Sequence, residues 1–136
     1  MGRMMRGFTL IEAMIVVAVL GIIVAIGYPS YRDQVMKSRR AEGMGELLEL
    51  ADRLERYYSD KGTYVGATPA NIFHATTAKG NYQLKIDSQD PISFTVSAEP
   101  TTSGGQTKDK CGTFTLNSQG VKTISGGSLP LDDCWK

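Results

Sequence analysis

From Phe8 to Tyr31 the chain reads FTLIEAMIVVAVLGIIVAIGYPSY, and within that stretch only Glu12 carries a charge. The uncharged part, Ala13 to Tyr28, reaches about 20 residues with its flanks, enough to cross the hydrocarbon core of a bilayer as a helix. This one segment restricts what the remainder can be. Of 136 residues, those left over suffice for one further domain at most. Arg3 and Arg6 ahead of the run resemble the basic head of a secretory signal, but no small-x-small cleavage site closes it, so the apolar segment is expected to stay attached.

Glu12 does not fit a plain anchor. An ionised acid in a bilayer costs roughly 2.5–3.5 kcal/mol at the helix centre and less toward an interface, so a buried partner or a functional reason is expected. Arg6 could serve only while the first residues remain. A cut after Gly7 would place a new α-amino group on Phe8, one helical turn before Glu12, able to meet Glu12 of its own chain or of a neighbour. The plain alternative is a side chain that bends toward the headgroups and has no further role.

Arg6-Gly7-Phe8-Thr9-Leu10-Ile11-Glu12, followed directly by the apolar run, resembles the processing signature of type IV prepilins and the related pseudopilins. The resemblance implies a leader, residues 1–7, removed by a prepilin peptidase between Gly7 and Phe8. It also implies N-methylation of Phe8, and pairing of Glu12 with an adjacent subunit's N-terminus during filament assembly. So short a leader suits the type IVa group. Arg3 and Arg6 precede the span while Arg32, Lys37, Arg39 and Arg40 follow it, so the positive-inside rule does not orient the chain.

Beyond Pro29 the pattern becomes amphipathic. Met44, Leu47, Leu48, Ala51, Leu54 and Tyr58 recur at helical spacing, with Glu46, Glu49, Asp52, Arg53, Glu55 and Arg56 on the other side. One helix from about Phe8 to Asp60, roughly 80 Å at 1.5 Å per residue, is predicted to end at Gly62. Pro29 should bend it, and Gly21 and Gly27 lower its propensity nearby, which makes residues 21–29 the part easiest to unwind; the glycines could equally serve close helix packing. A glycine and a proline bracket a comparable segment in pilins. The run from Arg39-Arg40-Ala41-Glu42 to Tyr57-Tyr58 and Gly62-Thr63-Tyr64 is similar to the helix of PilE-type minor pilins, with the three tyrosines clamping the helix end onto the next loop.

Residues 62–80 read as a long loop. His74 stands in it with no second histidine and no nearby acid, so no catalytic role is expected. Alternating runs at Tyr82–Ile86, Ile92–Ala98, Thr113–Leu116 and Val121–Ile124, bounded by turn residues, predict a four-stranded, mainly antiparallel sheet. Cys111 and Cys134 are the only cysteines. In a small domain after an export-type segment they read as one disulfide, worth about 3 kcal/mol for a loop of this span; two reduced thiols would instead indicate the cytosol. No metal site, cofactor site or nucleophile-plus-base set is legible, so no enzyme is expected. At a net charge of +1, general attraction to nucleic acid or anionic lipid is not written into the whole chain. A local patch stays open: Lys108, Lys110 and Lys122 read as a solvated face in preference to a DNA contact.

The expected fold is therefore α+β, pilin-like, with a long N-terminal helix packed on a four-stranded antiparallel sheet. Residues 8–30 would form the membrane and filament-core segment and residues 31–136 a periplasmic αβ domain, its sheet and disulfide-bounded loop in 81–136. The expected role is a pilus subunit, of minor-pilin type, in the bacterial inner membrane and then in the extracellular fibre. Its partners would be other pilins, the prepilin peptidase and the inner-membrane assembly platform. A type II secretion pseudopilin and a signal-anchored periplasmic binding module are the alternatives.

Overall fold

The computed structural model describes residues 2 and 6–135. Most of the expected leader, Arg3 included, lies outside the described residues. The chain divides into two compact units, residues 1–35 and 36–136.

Helix α1, Leu10–Lys61, belongs to both units and continues through Gly21 and Pro29. Every described residue up to Gln34 is exposed, the apolar ones included. So long an exposed apolar helix surface is stable only against lipid or other helices. The helix starts two residues later than Phe8 because Thr9 caps it. It ends where Gly62, at φ +71°, donates its amide to the Tyr58 carbonyl at 2.7 Å. That left-handed residue after the last turn is why a glycine stands there.

In the second unit, β1 (Tyr82–Gln89), β2 (Phe94–Pro100), β3 (Thr113–Asn117) and β4 (Lys122–Ser125) form an antiparallel meander in chain order. One sheet face supplies Tyr82, Leu84, Phe94, Val96, Ala98, Phe114 and Leu116 to the core, opposite Leu47, Leu50 and Leu54 of α1. The expected helix stripe needs one correction. Leu48 is 46 % exposed, and Leu50, not singled out from the sequence, is fully buried. Positions 47, 50 and 54 keep one face, whereas 48 is turned about 100° from 47. Ile92 likewise leaves its expected strand. It sits exposed in a turn where Asp90 Oδ1 accepts the amides of Ile92 and Ser93 at 2.9 and 2.7 Å. The Ser93 hydroxyl, which donates to Asp90 Oδ2 at 2.6 Å, and then these amides hold the Asp90 carboxyl below its usual range.

Two short helices also escaped the sequence reading. Within the expected loop lies α2, Pro69–Ile72, opened by a reciprocal Thr68–Asn71 capping box; α3, Leu131–Cys134, follows β4. Between β2 and β3 a 3-10 segment, Ser103–Lys108, docks on α1. Arg39 donates to the Gly104 carbonyl at 2.8 Å, Arg40 grips Asp109 through two hydrogen bonds of 2.6 and 2.5 Å, and the buried Gln106 amide donates to the Met36 carbonyl and to the Tyr82 hydroxyl. Burial, chiefly, pushes the Tyr82 phenol up to about 12. Its hydroxyl accepts a hydrogen bond from Gln106 that acts the other way.

Candidate assembly site

Gly7 and Phe8 precede the helix in non-helical, exposed backbone. The bond between them is accessible without unwinding α1. Thr9 and Glu12 then bond reciprocally. The Thr9 amide donates to Glu12 Oε2 at 3.1 Å, and the Glu12 amide donates to Thr9 Oγ1 at 3.3 Å. This is a capping box, which satisfies two backbone donors that the first helical turn leaves without partners. The acid also sits where the positive end of the helix dipole favours it. Thr9-Leu10-Ile11-Glu12 carries the Thr-x-x-Glu signal, which gives the carboxylate a role beyond a charge awaiting a cation or one that bends toward the headgroups. Among the described residues no cation lies within ion-pair distance of Glu12, Arg6 included.

In the second unit the loop after α1 is fastened to one face of the helix. Tyr57 donates its hydroxyl to the Val65 carbonyl at 3.3 Å, and Tyr64 stacks on Tyr58 with ring centroids 4.7 Å apart. The tyrosine clamp is present. Tyr64 also donates to Glu55 at 2.9 Å; burial, and then this bond to a carboxylate, push its phenol up to about 12. Farther along, Arg53 lies over the Phe73 ring and donates to the Ile72 carbonyl. Glu46 Oε2 meets His74 Nε2 at 2.6 Å while its other oxygen accepts the Ala78 amide. His74 thus has an acid beside it after all. The acid comes from 28 residues upstream, a proximity that spacing in the loop could not reveal. The pair holds a loop to a helix.

Cys111 and Cys134 are joined, with Cα atoms 5.7 Å apart. The bridge holds α3 beneath the sheet, where Trp135 meets the Phe114 ring edge-on at 5.2 Å. Gly112 and Gly127 make the neighbouring backbone approach feasible, since a Cβ on Gly112 would come within 2.2 Å of the Ser125 carbonyl. Of the three lysines, Lys108 and Lys110 are exposed at the end of the β2–β3 connection, whereas Lys122 is held over the Trp135 ring at 5.7 Å.

Other proteins resemble this chain over most of its length. Residues 29–115 match the model of the family described as type IV minor pilin ComP, DNA uptake sequence receptor, and residues 2–28 match the prokaryotic N-terminal methylation motif. A type IV major fimbrial protein FimA of Dichelobacter nodosus is 36 % identical over 135 residues, which is 97 % of this chain and 82 % of that protein. This chain belongs to the type IV pilin family. Fimbrial protein EcpC of Eikenella corrodens is 40 % identical to this pilin over 80 residues, 59 % of this chain and 52 % of EcpC. The non-core minor pilin PilV of Neisseria meningitidis superposes with a TM-score of 0.60 over 72 % of this pilin and 94 % of PilV, at 24 % identity, and so speaks for the fold. A type IV pilin from Shewanella oneidensis gives 0.52 over 74 % of this chain and 98 % of its own, at 26 % identity. The α+β pilin architecture expected from the sequence is the one observed.

Proposed function

We propose that this pilin is a minor subunit of its pilus. The supporting observation is the match of residues 29–115 to a family described as a minor pilin. In this reading the chain is cut between Gly7 and Phe8 by a prepilin peptidase, and Phe8 is N-methylated. The apolar half of α1 holds the subunit in the inner membrane with residues 31–136 on the periplasmic side, until the assembly platform passes it into the fibre. Glu12 then faces the α-amino group of a neighbouring pilin, a pairing that replaces its capping bond to Thr9 by an opposite charge in a dry helix bundle. The stretch from Gly21 to Pro29 supplies the flexibility that packing in the fibre core requires.

Two measurements test this. The intact mass of the chain from native membranes should correspond to a product that begins at Phe8 and carries one methyl group, and only when the peptidase is present. An uncut chain in both samples would overturn the processing scheme. Quantitative mass spectrometry of sheared pili should find this chain far below another pilin in copy number. Finding it as the most abundant pilin would make it the major subunit.

A second reading follows from the same family description, which names a DNA uptake sequence receptor. Lys108 and Lys110 would then touch the phosphates. Duplex DNA binding to purified fibres that weakens with salt, with a log–log slope that becomes shallower by about one for each of these lysines replaced by glutamine, would favour it. Salt-independent or absent binding would count against it.

A further inference from the structure

Charge along α1 changes sign at Ala41. Within the second unit, Lys37, Arg39 and Arg40 come first, and the helix beyond them carries six acids (Glu42, Glu46, Glu49, Asp52, Glu55, Asp60) against Arg53, Arg56 and Lys61. The fold sharpens this asymmetry. Asp109, the acid that could offset the basic end, is buried and consumed by Arg40. The same contact, with Gln106 on Met36 and Arg39 on Gly104, pins the 3-10 segment to residues 36–40 and brings Lys108 and Lys110 there with it. Lys37, Lys108 and Lys110 are exposed, and Arg39 is half-buried with donors beyond the one given to Gly104. Besides Asp109, the acids closest to them in the chain or across the disulfide are Asp33, one helical turn before Lys37, Glu42, Asp132 and Asp133, so the four cations are offset only in part.

We infer that this end of the domain, through Lys37, Arg39, Lys108 and Lys110, seats on anionic phospholipid headgroups while the subunit waits in the bilayer. The inference rests on the membrane residence proposed above. Connectivity selects lipid over other polyanions. Lys37 follows Tyr31, the end of the apolar run, by six residues, and six residues span at most about 20 Å. The basic end therefore cannot leave the neighbourhood of the membrane surface, while the acidic remainder of α1 is repelled from it. Such seating orients the domain before extraction. It also gives the basic residues that follow the span a use on the periplasmic side: Arg40 is spent on Asp109, and Lys37 with the remaining donors of Arg39 meets lipid.

The full chain is inserted into nanodiscs of zwitterionic lipid alone or with about one-third anionic phospholipid, and each lysine's acetylation rate is read by mass spectrometry. In anionic nanodiscs Lys37, Lys108 and Lys110 should react about fivefold more slowly, the gain for a cation at such a surface. Lys61 and Lys85 should not change. The protection should vanish at about 0.5 M salt, where screening is within a few Å. The Lys108→Gln/Lys110→Gln variant should lose most of the protection at Lys37. Equal rates in both bilayers would overturn the inference and leave the membrane reading intact. Failure to enter nanodiscs at all would overturn both. Protection of the same lysines by duplex DNA in zwitterionic nanodiscs, with none from anionic lipid, would replace lipid by nucleic acid.

Discussion

Gly43 and Gly45 stand two residues apart in α1, and the structure assigns opposite signs to the same substitution. A Cβ on Gly43 would lie 2.8 Å from Cδ2 and 3.0 Å from Cγ of Tyr82, whereas one on Gly45 would meet nothing within 4 Å. Alanine in place of glycine in a helix stabilises by about 1 kcal/mol. At Gly45 that gain stands alone. At Gly43 it is opposed by overpacking, typically about 1–3 kcal/mol where neighbours cannot give way. Tyr82 cannot: it is fully buried and its hydroxyl is held by Gln106 at 2.9 Å. With overpacking at about 2 kcal/mol, Gly43→Ala should destabilise by about 1 kcal/mol, while Gly45→Ala stabilises by about as much. For a domain of this size each kcal/mol moves the melting midpoint by about 4–8 °C. The assay is thermal or urea unfolding of the full chain in one detergent, followed by Trp135 fluorescence. In a Tyr82→Leu background the ring is gone, so Gly43→Ala should become favourable, with a coupling of about 2 kcal/mol between the two sites. Equal shifts from the two glycine substitutions, or a coupling below about 0.5 kcal/mol, would refute the argument that ring contact requires glycine at 43.

Replacing both Cys111 and Cys134 by serine should lower stability by about 3 kcal/mol, from the freed loop entropy of a 23-residue separation; urea midpoints with and without reductant check it. Tyr82 ionises late because burial disfavours its phenolate, so the stability its neutral form contributes is complete below pH 10 and lost as pH rises toward about 12. A 295 nm titration of the folded chain should lose one late-titrating tyrosine in Tyr82→Phe. Thr9→Val removes the hydroxyl cap but leaves the carboxylate, so helix fraying by about 1 kcal/mol, read by amide exchange at residues 10–13, should accompany near-normal incorporation into fibres. Glu12→Ala should fray the same turn, leave membrane insertion and leader cleavage intact, and sharply impair incorporation; unchanged incorporation would refute the charge-pairing role.

The parts of this fold that were legible in advance are those written in short-range chemistry. Alternation gave four strands, Gly62 gave the helix end, and an even pair of cysteines after an export-type run gave the bridge. What stayed hidden depends on residues distant in sequence. Leu50 is buried where the spacing points to Leu48, because the centre of a helical stripe is not fixed until the facing sheet is known. His74 looked solitary because its acid comes from α1, and the Arg40–Asp109 pair joins residues 69 apart. Hydropathy cannot see that Arg39 and Arg40 fasten the 3-10 segment to α1, because their partners lie 65 and 69 residues away. The capping box is the instructive exception. It is local, it was visible in Thr9 and Glu12, and it was missed because an acid at the mouth of an apolar run draws attention to what is outside the chain.

That miss changes how the lone acid should be understood. A carboxylate bonded to its own helix start is not a bare charge awaiting rescue. The Thr9 amide already gives the carboxylate a hydrogen-bond partner, so a subunit can remain in the membrane with Glu12 near its interface at modest cost. A neighbour's amine must then offer more than the capping bond does, and it can do so only where water is excluded, because an exposed ion pair is worth under about 1 kcal/mol. Pairing at Glu12 is therefore expected to be weak between two subunits side by side in the bilayer and strong once surrounding helices seal the contact. On this account the acid discourages premature dimers and favours the packed fibre, a discrimination that neither an alanine nor a permanently satisfied salt bridge at position 12 could supply.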